Sequence, residues 1–265
     1  MKPTGTRLAF AVVLLGIATP TLARGQGLSV DPSDPRQLLY DGEPILLFGA
    51  KVTHTRQSLA EVEAMLDARA EAGLNFGRYW NILPWSGTET LYPWRRVSGH
   101  GLANDGGEKF DLDQWDEAYW DHVGEVVRLA AARGFVFDWQ LFDDCGMEAG
   151  TERWDNHPLN PDNNINDLGL SRSSADGNGS GQFHDLDNAA LMAILEAYVQ
   201  RTLDELGPFG NVVFEVENES DGRYEWVMHW TGRIRDAGYL SIHNPFADRD
   251  RILEGAPLDL YAVHN

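Results

Sequence analysis

The sequence predicts a parallel α/β fold of the (β/α)8 barrel type, incomplete, with about six of the eight βα units present. Three observations carry that expectation. Apolar, β-branched runs alternate with amphipathic helical stretches, and Gly closes most of the helices. The strand runs are nearly continuous in hydrophobic residues, as parallel strands covered on both faces are. Polar and aromatic residues gather just after the C-terminal ends of successive strands, where barrel enzymes carry their sites.

The elements follow in order. Asp31 to Arg36 is a Pro/Asp leader and Tyr40-Asp41-Gly42-Glu43-Pro44 a turn. Ile45 to Ala50 is a short apolar strand. Ser58-Leu59-Ala60-Glu61 is a capping-box pattern that opens a helix reaching about Ala72, with Gly73 as its end. Leu74 to Trp80 is the second strand. Phe110 to Asp113 leads into a helix with Trp115, Tyr119, Val123, Val126, Val127 and Ala130 on its apolar side and Gly134 as the stop. Phe135 to Phe142 alternates little and is expected to be buried on both faces. Asp143 to Asp185 shows no periodicity and is rich in Asn, Asp, Gly and Ser; a loop this long is expected to be functional or mobile. Asp187 to Leu206 is a helix with the stripe Leu191, Ile194, Leu195, Tyr198 and Leu203, ended by Gly207-Pro208. Val212 to Glu217 is the fourth strand, Tyr224 to Ala237 a helix, and Tyr239 to Ile242 and Leu258 to Val263 the fifth and sixth strands.

Bulk composition narrows the function classes. A chain of 265 residues, 43% hydrophobic and 11% aromatic, can bury a sizeable core. Forty-one acidic against 21 basic residues give a formal charge of −20, which argues against nucleic acid or an anionic membrane as partner and suits a neutral ligand. Lys2 and Arg7 precede the apolar run Leu8 to Ala18, and Thr21-Leu22-Ala23 offers small residues for cleavage after Ala23. Residues 1–23 therefore read as a signal peptide and 24–265 as one mature domain, secreted or periplasmic and off the membrane after cleavage. The lone Cys145 cannot form an internal disulfide and is expected to be a packed thiol.

The most telling segment is Val212-Val213-Phe214-Glu215-Val216-Glu217-Asn218-Glu219-Ser220. Side chains alternate along a strand, so Glu215, Glu217 and Glu219 are expected to share a face. Carboxylates placed together repel and lose hydration. A fold tolerates that where the face lines a polar cavity, and Glu219, at the strand's end, becomes the candidate acid. His54 follows the first strand, Arg78 and Trp80 the second, Asp143 and Asp144 the third, His243 and Asn244 the fifth, and His264 the sixth. Phe48-Gly49-Ala50-Lys51 carries no phosphate-binding glycine fingerprint, which weighs against a nucleotide fold. No paired-Cys or His-Glu-x-x-His metal motif occurs.

Asn218-Glu219 after a Phe-Glu-Val-Glu run resembles the acid/base motif of clan A glycoside hydrolases, with family 5 (cellulase-like and mannanase-like enzymes) the nearest resemblance. Tyr40 to Ile45 resembles the entry to that family's first strand, Asn75-Phe76-Gly77-Arg78 its second strand, Phe110 to Asp116 with Ala131 to Phe135 its third helix and strand, and Tyr261-Ala262-Val263-His264 its sixth strand. The resemblance covers roughly residues 38 to 265. It implies a retaining hydrolase of a β-linked polysaccharide or oligosaccharide, monomeric and without a cofactor. Glu219 would be the general acid/base and Asn218 would bind the sugar 2-hydroxyl. Arg78 would pair with a buried carboxylate of the fourth strand, Glu215 first. His264, Trp80 and His54 would line the sugar site, with Trp85 and Trp94 as further aromatic platforms. The family's nucleophile stands at the end of a seventh strand. No seventh strand is visible, so the chain reads as truncated at its C-terminus and no nucleophile is assigned. Two rival readings are a non-catalytic carbohydrate-binding barrel and a metal-dependent α/β hydrolase, the latter favoured if His54, Asp143 and His264 converge. Asn160 to Asp167 reads as a lid entering the cleft or as a calcium loop, with the lack of EF-hand spacing weighing against calcium.

Overall fold

The computed structural model describes residues 27–49, 57–79, 82, 90–143, 152–172, 180–218, 220, 224–245 and 248–261. The signal-peptide segment, Cys145 and Asp144 lie outside them. A three-stranded antiparallel meander opens the chain: β1 (Leu28–Val30), β2 (Leu38–Tyr40) and β3 (Glu43–Ile45). Asp41 and Gly42, both at positive φ, make the expected tight turn between β2 and β3. α1 (Leu59–Glu71) starts on the complete capping box of Ser58 and Glu61 and buries Val62 and Leu66.

β4 (Phe76–Tyr79) begins the main sheet. An antiparallel pair, β5 (Trp94–Leu102) and β6 (Glu108–Trp115), follows it in the chain and precedes α2 (Glu117–Ala131). Then come β7 (Val136–Asp143), the short helices α3 (Glu152–Asn156) and α4 (Ser180–Phe183), and α5 (Ala189–Leu206). β8 (Val212–Asn218), α6 (Tyr224–Asp236), β9 (Ser241–His243), α7 (Arg249–Gly255) and β10 (Leu260–Tyr261) complete the order.

The main sheet runs β4, β7, β8, β9, β10, with every pairing parallel and every neighbour next in chain order among its strands. Sequential parallel staves linked by helices are the winding of a barrel, whereas a doubly wound sheet reverses its order partway. Gly49 adds a parallel bridge to Phe76 at the β4 edge. A Cβ at Gly49 would stand 1.9 Å from the Phe76 carbonyl oxygen, so only glycine admits this approach. Together the five strands and the bridge mark six staves, the number expected.

All eight residues of β7 and all seven of β8 are buried. Tyr79, Phe137, Trp139, Phe214 and Val216 join α1, α2, α5 and α6 in one apolar core. Tyr79 stacks on Trp139 with ring centroids 4.2 Å apart. The stripe expected for α5 is buried in full, joined by Val199, Thr202 and Leu206. Among the described residues no helix is long and apolar enough to cross a membrane.

Four sequence expectations need correction. Ile45 to Ala50 is not one strand: Ile45 pairs in the meander. The following residues are held instead by Asn75, whose Oδ1 accepts from the Phe48 N–H at 2.8 Å and whose Nδ2 donates to the Leu46 carbonyl at 2.9 Å. Phe110 to Asp113 does not lead into α2; it lies in β6, and Trp115 ends that strand. The polar face of the β5–β6 pair, with Gly99, Gly101 and Gly106 at positive φ, masks a period-two signal carried by Phe110 and Leu112, both buried. The stretch after β7 is not structureless. The Phe110 N–H donates to the Asn163 carbonyl at 2.8 Å and the Ile165 N–H to the Phe110 carbonyl at 2.9 Å, so this strip lines β6 instead of forming a lid. Last, α7 occupies a stretch that shows no helical stripe in the sequence; of its residues only Ile252 is buried.

Candidate active site

Alternate residues on the other side of the sheet supply its chemistry. Arg78 on β4 and Asp138 on β7 are register partners, as are Gln140 on β7 and Glu215 on β8. The Arg78 guanidinium forks onto Glu215: Nε donates to Oε2 at 2.7 Å and Nη2 to Oε1. Asp138 lies 3.6 Å from Arg78 Nε. Glu215 is fully buried, so the fork supplies the countercharge that a sealed carboxylate needs. This is the pairing read from the sequence.

One guanidinium serves two buried acids, and the electrostatics reflect that shortage. Burial raises the Asp138 pKa well above its ordinary value; Glu215 adds to the rise and Arg78 opposes it. Burial also raises Glu215, against the pull of Arg78. For Arg78, burial acts downward, but Glu215, then Asp138 and Asp143, leave the net shift upward. Burial raises Asp143 as well, opposed first by its hydrogen bond from Asn218.

The C-terminal ends of the strands hold the next layer. Asn218, the last residue of β8, donates from Nδ2 to Asp143 Oδ1, the last residue of β7, at 3.0 Å. Asn218 Oδ1 has no hydrogen-bond partner among the described residues. Glu217 is fully buried and receives His184 Nε2–H at 3.0 and 2.9 Å on its two oxygens and the Ser220 hydroxyl on Oε2. The Ser220 N–H donates to the Asn244 carbonyl at 3.1 Å, and Ser220 bridges Pro245 in parallel. His243 on β9 is fully buried, and burial drops its pKa to about 4, so it is neutral at pH 7.

Of the site residues named from the sequence, Arg78 and Asn218 stand where strand order put them, on β4 and at the end of β8. Glu219, His54, Trp80 and His264 lie outside the described residues, as does Trp85. Trp94 is no sugar platform: it is 1% exposed and packs its ring against Tyr198 in the core. Sequence reasoning passes over His184 and the Asp138 carboxyl. Asp138 carries a signal, being an acid inside an apolar strand run. His184 carries none, since its partner Glu217 is 33 residues downstream.

Fold and site together define a singly wound parallel α/β protein with paired buried carboxylates on the polar side of its sheet. The model of a family described as a domain of unknown function, DUF6298, matches residues 89–241, more than half of the chain, and the chain belongs to that family. Among solved structures, a candidate glycoside hydrolase from Bacteroides vulgatus ATCC 8482 matches at TM-score 0.51 and 18% identity, over 84% of this chain and 39% of its own. A glycoside hydrolase family 5 mannosidase from Rhizomucor miehei matches at TM-score 0.53 and 12% identity, over 83% of this chain and 55% of its own. A mutant form of a family 5 mannosidase from the same organism gives TM-score 0.54 at 12% identity, over 82% and 55%. The fold is thus an incomplete (β/α)8 barrel like part of the barrels in these structures, and the chain spans between 39% and 55% of their length. No curated protein matches the chain.

Proposed function

We propose that this protein is an exported glycoside hydrolase that cleaves a β-linked polysaccharide or oligosaccharide with retention, using Glu219 as general acid/base. What supports the reading most is the layered constellation on the successive strands β4, β7 and β8: the Arg78–Glu215 fork within the sheet and Asn218 at the strand end, next in sequence to Glu219. The solved relatives in fold are glycoside hydrolases, which agrees with it.

A glycosidic oxygen leaves poorly unless it is protonated as its bond breaks. Glu219 would deliver that proton and later activate the water. Asn218 Nδ2 is committed to Asp143, which fixes the amide plane and leaves Oδ1 to accept from a sugar hydroxyl. Arg78 carries no proton in the reaction; it gives Glu215 its countercharge and ties β4 to β8. Retention needs a second carboxyl about 5 Å from the first. No residue of this sequence is assigned to it.

The test is Glu219→Gln in the full-length protein, assayed on cellotetraose and mannotetraose. A loss of about 10²- to 10⁴-fold in kcat is expected for removal of a general acid. Unchanged turnover would refute the assignment. Recovery from the culture medium or periplasm, with Arg24 at the N-terminus, is the expected outcome for the export part of the proposal.

A further inference from the structure

The Ser220–Glu217–His184 chain has the residue types of a nucleophilic triad in the wrong order. There the imidazole must sit between hydroxyl and carboxylate, so that it can take the hydroxyl proton. Here the carboxylate is in the middle: Ser220 Oγ and His184 Nε2 both donate to Glu217. Ser220 is therefore not an activated nucleophile, and the group needs another account.

Its connections supply one. Glu217 is fully buried, and its hydrogen bonds run to His184 in the segment before α5 and to Ser220 beyond β8. Ser220 is also fixed through its backbone, to Asn244 and Pro245 after β9. On the other side of residue 219, the Asn218 side chain is tied to Asp143 on β7. Both sequence neighbours of Glu219 are thus fastened, one to the stave before β8 and one to the stave after it. His184 in turn is wedged edge-on against Phe183 and Trp226, with ring centroids 5.6 and 4.9 Å away. A rotamer so packed cannot release Glu217 without disturbing the core.

We propose that Glu217, seated by His184, is a positioning residue for Glu219: through Ser220 it fixes the chain next to the general acid. This rests on the glycosidase reading above and adds to it three residues, Glu217, His184 and Ser220, that act through the backbone beside the acid. Misplacing a catalytic group by about 1 Å costs on the order of 10²-fold in rate. The loss falls on the step that needs the acid.

Leaving-group chemistry separates positioning from mere stability. A 2,4-dinitrophenolate leaves without protonation, whereas a sugar alkoxide does not. The full-length wild type, Glu217→Gln, Ser220→Ala and Glu219→Gln are compared on cellotetraose and mannotetraose and on the 2,4-dinitrophenyl β-glycosides of cellobiose and mannobiose, with Tm recorded for each. Glu217→Gln and Ser220→Ala are expected to lose about tenfold to 10²-fold in kcat/KM on the tetraoses. On the dinitrophenyl glycosides they are expected to lose less than about threefold in kcat/KM, which reports departure of the leaving group, whereas kcat there falls because Glu219 must still activate the water that releases the glycosyl-enzyme. Should Glu217→Gln fail to fold, Ser220→Ala carries the test, because it removes one hydroxyl only. Equal losses of kcat/KM on both substrate types overturn the proposal while leaving the glycosidase reading intact, provided Glu219→Gln shows the leaving-group split in kcat/KM. If Glu219→Gln shows no split in kcat/KM, or the wild type cleaves none of the four substrates, the reading beneath falls and takes this inference with it.

Discussion

At the scale of single residues, the site is governed by carboxylates that burial keeps short of countercharge. Asp143 makes the point testable. Its pKa is raised from 3.8, first by burial, with the Asn218 hydrogen bond opposing. A carboxyl with a folded pKa above its unfolded one binds more protons folded than unfolded throughout the interval between the two. Stability from this group is therefore fully present below the unfolded pKa and falls as pH rises through that interval, the reverse of the usual paired carboxylate. The amide in Asp143→Asn would keep an acceptor for Asn218 but could not ionise. The stability of this variant relative to wild type should thus improve as pH rises from about 4, by at most about 1.4 kcal/mol per pH unit, then level off. Urea midpoints across the acid-to-neutral range check this, and a constant difference would remove the electrostatic argument. The same physics decides what was legible in the sequence. A Glu inside an apolar strand must find a cation, and Arg78, two strands away across β7, was the obvious one. Glu217 found a histidine in a segment without periodicity, where no rule of spacing points.

At the scale of elements, helices with caps and full stripes could be read almost to the residue, because Ser58, Glu61 and the α5 stripe satisfy local rules. The β5–β6 pair and its attached Asn-rich strip could not be. Their stability comes from side chain to backbone bonds between distant segments. Asn163 alone accepts from the Asn104 N–H at 2.8 Å and donates to the carbonyls of Asp155 at 2.7 Å and His157 at 2.8 Å. It is fully buried, so its removal deletes three bonds and leaves a cavity in the strip. Asn163→Ala should cost about 3 kcal/mol, from three net bonds of about 1 kcal/mol each, while the Asp155 and His157 carbonyls keep Asn104 Nδ2 and the Asn160 N–H as donors. Urea denaturation measures it. A cost below about 1 kcal/mol would mean that the strip is held by its apolar contacts instead. An asparagine run reads as loop because each Asn favours local turns. Here those turns are what aim the amides at the strip's own carbonyls and at the β5–β6 pair.

At the scale of the whole molecule, the winding was readable because sequential βαβ units leave few alternatives. Each crossover returns to the neighbouring position with a fixed hand. That is also why the fold persists in structures only 18% and 12% identical in sequence. Net charge is the other property of the whole chain, and it sets the last expectation. At −20, acids outnumber bases about two to one, and the compact state carries the repulsion. Exposed pairs such as Arg128–Glu125 and Arg251–Glu225 oppose it only weakly. Raising NaCl from about 0.01 to about 0.1 M shortens the screening length from about 30 Å to about 10 Å. Many-body repulsion acts over such distances and is damped more than contacts at hydrogen-bond range. Tm should therefore rise with salt, by about 2–4 °C for each kcal/mol of repulsion relieved in a chain of this size. Calorimetry at the two salt concentrations decides it. A fall in Tm would show that the surface pairs, Arg133 with Glu63 and Asp67 and Arg201 with Glu117 foremost, outweigh the excess of negative charge.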